Sequence, residues 1–146
     1  DRKPSPFQQT KFNVHSGRIS RDGKWVAYVS DESGEDEIYL KLLSAPGSDA
    51  WKVSSSGGEA PVWGPTSNEL IYVNTKREVV AATLRFTGNR AEVAGVKPLF
   101  VLPAFTMSYD ISPDGKTFVI TRSLEMQKFA PLSLVVNWDE ALKKKQ

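Results

Sequence analysis

The 146-residue sequence predicts an all-β fold made of β-propeller blades, on three observations. A turn-and-strand phrase recurs: "SRDGKWVAYV" at 20–29 returns as "SPDGKTFVIT" at 112–121, with "GPTSNELIYV" at 64–73 between them. Aligned on Ile19, Trp63 and Ile111, the copies lie 44 and 48 residues apart, and a period of roughly 40–50 residues marks a repeat array. Short runs with period-2 alternation of apolar side chains fill each period, separated by Gly, Pro, Asp and Asn, and four strands per period is the count of one blade.

The elements follow in order. "PFQQTKF", 6–12, reads as an orphan outer strand with no blade of its own. The first blade, 17–56, takes "GRIS", "KWVAYVS", "EIYLKLL" and "WKVSS"; Asp22-Gly23 supplies the positive φ of a tight turn and the acidic "DESGED" forms a hairpin tip. The second, 59–103, takes "APVW", "ELIYVN", "EVVAATLRF" and "PLFVLP", with "TGNRAEVAG" as an inserted loop. In the third, 107–138, "SYDIS", "KTFVITRS" and "LSLVVNW" give three strands, and Asp114-Gly115 turns the chain after Pro113. The tail, 139–146, is expected to form a frayed helical turn. Three blades are too few to close a ring, for which four to eight are usual, so the whole chain reads as one domain equal to half of a six-bladed propeller.

Composition narrows the function classes. At 40% apolar and 25% charged, with ten Gly and nine Pro, the chain has the balance of a turn-rich globular protein. No Cys means no disulfide, thiol nucleophile or thiolate metal site. No run approaches the roughly 18–20 apolar residues that span a bilayer, and residues 1–4 do not resemble a signal peptide, so no membrane insertion of this segment is expected. Lys143, Lys144 and Lys145 account for more than the whole +2 net charge, which leaves no basic stripe for nucleic acid on the folded body.

The phased "SPDGKTFVIT" and "SRDGKWVAYVSDESGEDEIYL" resemble the TolB-like, WD-repeat-like β-propellers of bacteria, and "GPTSNELIYV" departs from their pattern. The ending "LSLVVNWDEALKK" is similar to the carboxyl terminus of bacterial proteins that join a Ser/Thr kinase domain to such a propeller. That resemblance implies a fragment of a longer protein and a non-catalytic interaction surface, extracytoplasmic or periplasmic, with cytoplasmic as the alternative. No kinase motif is present to carry over.

His15, the single His, has no Gly-x-Ser-x-Gly elbow beside it, so it reads as a polar loop residue and no catalytic residue is assigned. Ser54-Ser55-Ser56-Gly57-Gly58 lacks the Lys and following helix of a phosphate loop and reads as an interblade linker. Asp31, Glu32, Glu35, Asp36 and Glu37 offer oxygen ligands, but their spacing is not that of a calcium loop and a solvated hairpin tip explains them. No metal and no cofactor are expected. The aromatics Trp25, Tyr28, Tyr39, Trp51, Trp63, Tyr72, Tyr109 and Trp138 sit in or beside strands and suit interblade packing; any that are exposed would mark a binding face. Arg18, Trp63 and Tyr109 are the binding candidates, because the first strand of each blade lines the central channel.

Function is thus expected to be a protein-interaction or ligand-sensing module; the alternative is the gating propeller of a prolyl-oligopeptidase-like peptidase whose hydrolase domain lies outside this chain. A two-fold homodimer is expected to complete six blades. Residues 6–12 of one copy would add to the third blade of the other, burying on the order of 2,000 Å² or more.

Overall fold

The computed structural model describes residues 3–4, 6–45 and 47–123. Ten strands and no helix make up these residues, in sheets that run outward from a common inner edge. The first sheet is β1 (Val14–Ile19), β2 (Trp25–Ser30), β3 (Glu37–Leu42) and β4 (Trp51–Lys52), hydrogen-bonded in that order and antiparallel throughout. The second repeats the order with β5 (Glu59–Trp63), β6 (Glu69–Val73), β7 (Glu78–Thr87) and β8 (Arg90–Val101). The third is the pair β9 (Thr106–Ile111) and β10 (Phe118–Arg122). These are the meander sheets of a β-propeller, so the expected fold class stands. "LSLVVNW" and the tail lie outside the described residues.

Each recurrence of the phrase closes the same turn. The amides of Ser20, Gly64 and Ser112 donate to the carbonyls of Trp25, Glu69 and Thr117 at 2.8, 2.9 and 2.8 Å. Where serine opens the phrase, its hydroxyl does two things. Ser20 Oγ donates to Asp22 Oδ1 at 2.6 Å and accepts the Trp25 amide at 2.9 Å; Ser112 repeats this with Asp114 and Thr117 at 2.5 and 3.0 Å. Each aspartate also accepts the amide two residues on, from Lys24 and Lys116. In the middle copy glycine replaces serine, because a Cβ on Gly64 would overlap the Glu69 carboxylate.

These turns also join blades. The Arg21 guanidinium donates to Gly64 O, the Asp22 amide donates to Ser67 Oγ at 3.1 Å, and Gly115 sits against the Pro65 ring. Hydrogen bonds from Ser20 and the Lys24 amide hold the Asp22 carboxyl below its ordinary value, and those from Ser112 and the Lys116 amide do the same for Asp114. A carboxyl depressed by folding contributes stability that is present above the unfolded value and lost as pH falls through the folded one. We therefore expect the urea midpoint to fall on acidification from about pH 5 to about pH 2, less steeply in D22N/D114N than in the parent. Equal slopes would contradict this role.

The blades pack through two seams. In the first, Trp25, Ala27, Val29, Ile38, Leu40 and Leu42 of blade one meet Trp63, Leu70, Tyr72, Val80, Ala82 and Leu84 of blade two. In the second, Ile71, Val79, Ala81 and Leu102 of blade two meet Tyr109 and Ile111 of blade three, with Phe118 and Ile120 beside them. Successive residues of the central strands thus face opposite neighbours, which is why β2 and most of β6 are buried on both sides.

Three expectations are corrected. Residues 6–12 form no strand; they lie by blade one's own sheet, where Phe7, Gln8 and Gln9 share a cleft with Lys41 and Gly47. The stretch 87–95 is not an inserted loop. Gly88-Asn89, with Gly88 at φ +59°, is a two-residue turn between paired Thr87 and Arg90, and β8 continues through it with Ala91 and Val93 turned inward. Glu37 is no part of a solvated tip: it opens β3, fully buried, with Lys52 Nζ 2.8 Å from its Oε1 and the Ser54 hydroxyl donating to its Oε2.

Candidate functional site

A cleft of about 480 Å³ opens on one rim, where hairpin tips of the first two sheets meet the interblade linkers and the inner strand of the third. Its walls are the 31–36 tip, the 57–58 linker, the start of β5, the 74–77 turn and the inner strand β9. The polar groups it gathers are Glu35, Asp36, Glu59, Asn74, Arg77 and Ser108.

The walls are held by side chains that bond backbone. Asn74 Oδ1 accepts the amides of Lys76 and Glu78, both at 3.0 Å, and its Nδ2 donates to Glu78 Oε2 at 2.8 Å. That fixes the 74–77 turn, with Arg77 at φ +62° and its guanidinium donating to Pro103 O at 3.0 Å. Thr75 Oγ1 donates to Ser56 O at 3.1 Å, tying the turn to the linker. Gly57 has φ +73°, and a Cβ there would overlap Thr75 Cγ2, so glycine is required by backbone and by space together. Gly57→Ala is expected to cost about 2 kcal/mol and to loosen the cleft wall. A thermal midpoint unchanged from the parent would contradict it.

His15, at the entry to β1, places Nε2 3.7 Å from Asp36 Oδ2, and its Nδ1 lies 3.0 Å from Ser16 Oγ. This joins the innermost strand of blade one to the cleft lip, both side chains being well exposed. Asp31 is occupied elsewhere, accepting the Asn13 amide and side-chain Nδ2 at 3.0 and 2.7 Å. Among the described residues no three His, Asp or Glu gather as a metal site.

The three binding candidates fall in different places. Arg18 is exposed on β1, and its carbonyl accepts the Trp63 indole N–H at 3.0 Å. Trp63 is only 5% exposed and belongs to the first seam. Tyr109, 9% exposed, lines the cleft, and its hydroxyl donates to Ala60 O at 2.7 Å; burial raises its phenol well above the ordinary value. Each accepting carbonyl lies within a register shift of an inner strand, where Ser16 and Ala60 take positive φ at 55° and 50°. The bulges turn these carbonyls toward the next blade, so the inner strands are tethered aromatic to backbone. Sequence reading missed Glu59, Asn74 and Arg77, whose sign was the turn-forming "NTKR" after an apolar strand.

No protein-family model matches the chain, and no curated protein sequence matches it. Solved structures do. An oligogalacturonate lyase from Vibrio parahaemolyticus aligns with a TM-score of 0.55 at 13% identity, over 77% of this chain and 30% of that one. An oligogalacturonate lyase in complex with manganese aligns with a TM-score of 0.53 at 16% identity, over 75% of this chain and 30% of that one. The likeness establishes the propeller fold, and the chain spans about 30% of the length of those structures. On the same finding the expectation of a non-catalytic module is corrected: the two solved structures aligned here are enzymes. The manganese of the second has no matching donor set among the residues described here.

Proposed function

We propose that the chain supplies blades to a propeller enzyme and that the rim cleft binds its substrate, an uncharged, hydroxyl-rich oligosaccharide. The observation that carries this is the cleft lining. Polar groups from three sheets, on Asp36, Glu59, Arg77 and Ser108, converge on one concavity large enough for one or two sugar rings. The fold shared with oligogalacturonate lyases supports a sugar as ligand. The charge does not suit a polyuronate: Glu35, Asp36 and Glu59 outnumber Arg77, whose guanidinium is engaged by Pro103 O.

Calorimetric titration with neutral and uronate oligosaccharides tests the reading. Neutral sugars are expected to bind at about millimolar Kd, equivalent to about −4 kcal/mol, and uronates more weakly. Tighter binding of uronates, or of neither, would contradict it.

The TolB-like relationship and linkage to a kinase domain form a second proposal, about the parent protein, supported by the three phased copies and by "LSLVVNWDEALKK". The reading frame upstream tests it: a glycine-rich loop and a catalytic-loop motif are expected there, and their absence would refute it.

A further inference from the structure

We propose that residues 6–12 are a detachable plug on blade one, seated where the third blade of a second copy docks when two copies close a ring. The repeat register identifies both surfaces. Leu70 and Tyr72 face the preceding blade, and so do Phe118 and Ile120, 48 positions on. Their counterparts 44 positions earlier are Val26 and Tyr28, so this face of blade one belongs to a blade that would come before it.

That face is nonetheless buried. Val26, Tyr28, Ser30, Glu37, Tyr39 and Lys41 are all below 9% exposed, and the amino-terminal segment lies there, with Gln8 against the Tyr28 phenol. The opposite end differs. Ala27 and Ile71 face the following blade and are buried, whereas Val119, the same register position in blade three, is 62% exposed, with Thr117 and Thr121 exposed beside it.

The plug fits poorly. The Tyr28 hydroxyl and Gln8 Oε1 are buried and meet without a well-directed hydrogen bond, and Lys41, whose stem is buried, makes no ion pair among the described residues. A cleft of about 460 Å³ remains between Phe7, Gln8 and Lys41. A blade fits better on the same grounds that make the two internal seams. The face around Val119 is apolar at the position that fills both seams, and Asp110, paired with Val119 across the β9–β10 ladder, carries the charge that Lys41 lacks. Two copies related by a two-fold axis would make this contact twice. The expected exchange of residues 6–12 as an added strand is replaced by their removal.

Sedimentation of three variants decides it. Deleting residues 1–12 is expected to raise the mass from that of one chain, 16.2 kDa for the parent, to about twice the monomer. Val119→Glu in the deleted chain is expected to restore the monomer, since that position is exposed in the single copy. Phe7→Ser in the full chain loosens the plug without shortening the protein, and is expected to raise the dimer fraction at a given concentration even if the deleted chain fails to fold. A monomer in both the folded deletion and Phe7→Ser overturns the proposal and gives the blade-three face to another occupant. A dimer that survives Val119→Glu overturns it too, by placing the contact elsewhere.

Discussion

Lys52→Ala is expected to destabilise the chain by about 3 kcal/mol, because it leaves the Glu37 carboxylate buried without a counter-charge. Glu37 has no exposed surface, and the Ser54 hydroxyl satisfies only one of its oxygens. The other faces the Lys52 ammonium at 2.8 Å, a charge contact that also raises the lysine pKa. Breaking such a pair from one side typically costs about 3–5 kcal/mol, and the lower end applies because Lys52 is 40% exposed and water can replace part of it. The pair also closes β4, a strand of two residues, onto β3. Loss of the blade's outer strand should therefore accompany the loss of stability. Urea unfolding measures the energy and amide exchange at Trp51–Val53 the strand; a variant within about 0.5 kcal/mol of the parent would remove the ion pair from this account.

Trp25→Ala is expected to cost about 4 kcal/mol, more than any other single change considered. The indole sits in the first seam, stacked on Phe86 with ring centroids 4.8 Å apart and edge-on to Trp51 at 5.4 Å. It therefore joins the second and outermost strands of blade one to the long hairpin of blade two. Truncation leaves a cavity that the two aromatic neighbours cannot fill without moving, and the transfer and cavity terms add. Trp25→Phe should recover more than half of the loss. Equal losses for alanine and phenylalanine would mean that area does not decide the seam.

The repeat was legible because its period, its serine-aspartate turns and its alternating strands are all local signals. The three turn hydrogen bonds match the sequence alignment on Ile19, Trp63 and Ile111 residue for residue. The 87–95 stretch was misread because Gly and Pro near its ends outweighed a Gly-Asn turn whose pairing depends on the partner strand. Glu37 could not be placed because burial of a charge is decided by Lys52 and Ser54, 15 and 17 residues on, which no local pattern reports. The cleft was illegible for the same reason: Asp36, Asn74 and Ser108 come together only when blades stack. Trp63 and Tyr109 had a first-strand position in common, but the hydrogen bonds that bury them arise from bulges, which alternation does not reveal.

Whether the rim cleft is the substrate site is read from amide chemical shifts as a neutral oligosaccharide is added. The amides of Gly57, Gly58, Asn74, Thr75, Arg77 and Ser108 are expected to move together with one affinity, which Asp36→Asn with Glu59→Gln weakens about tenfold, or about 1.4 kcal/mol. Shifts confined to the plug cleft around Lys41, or scattered without saturation, would contradict it.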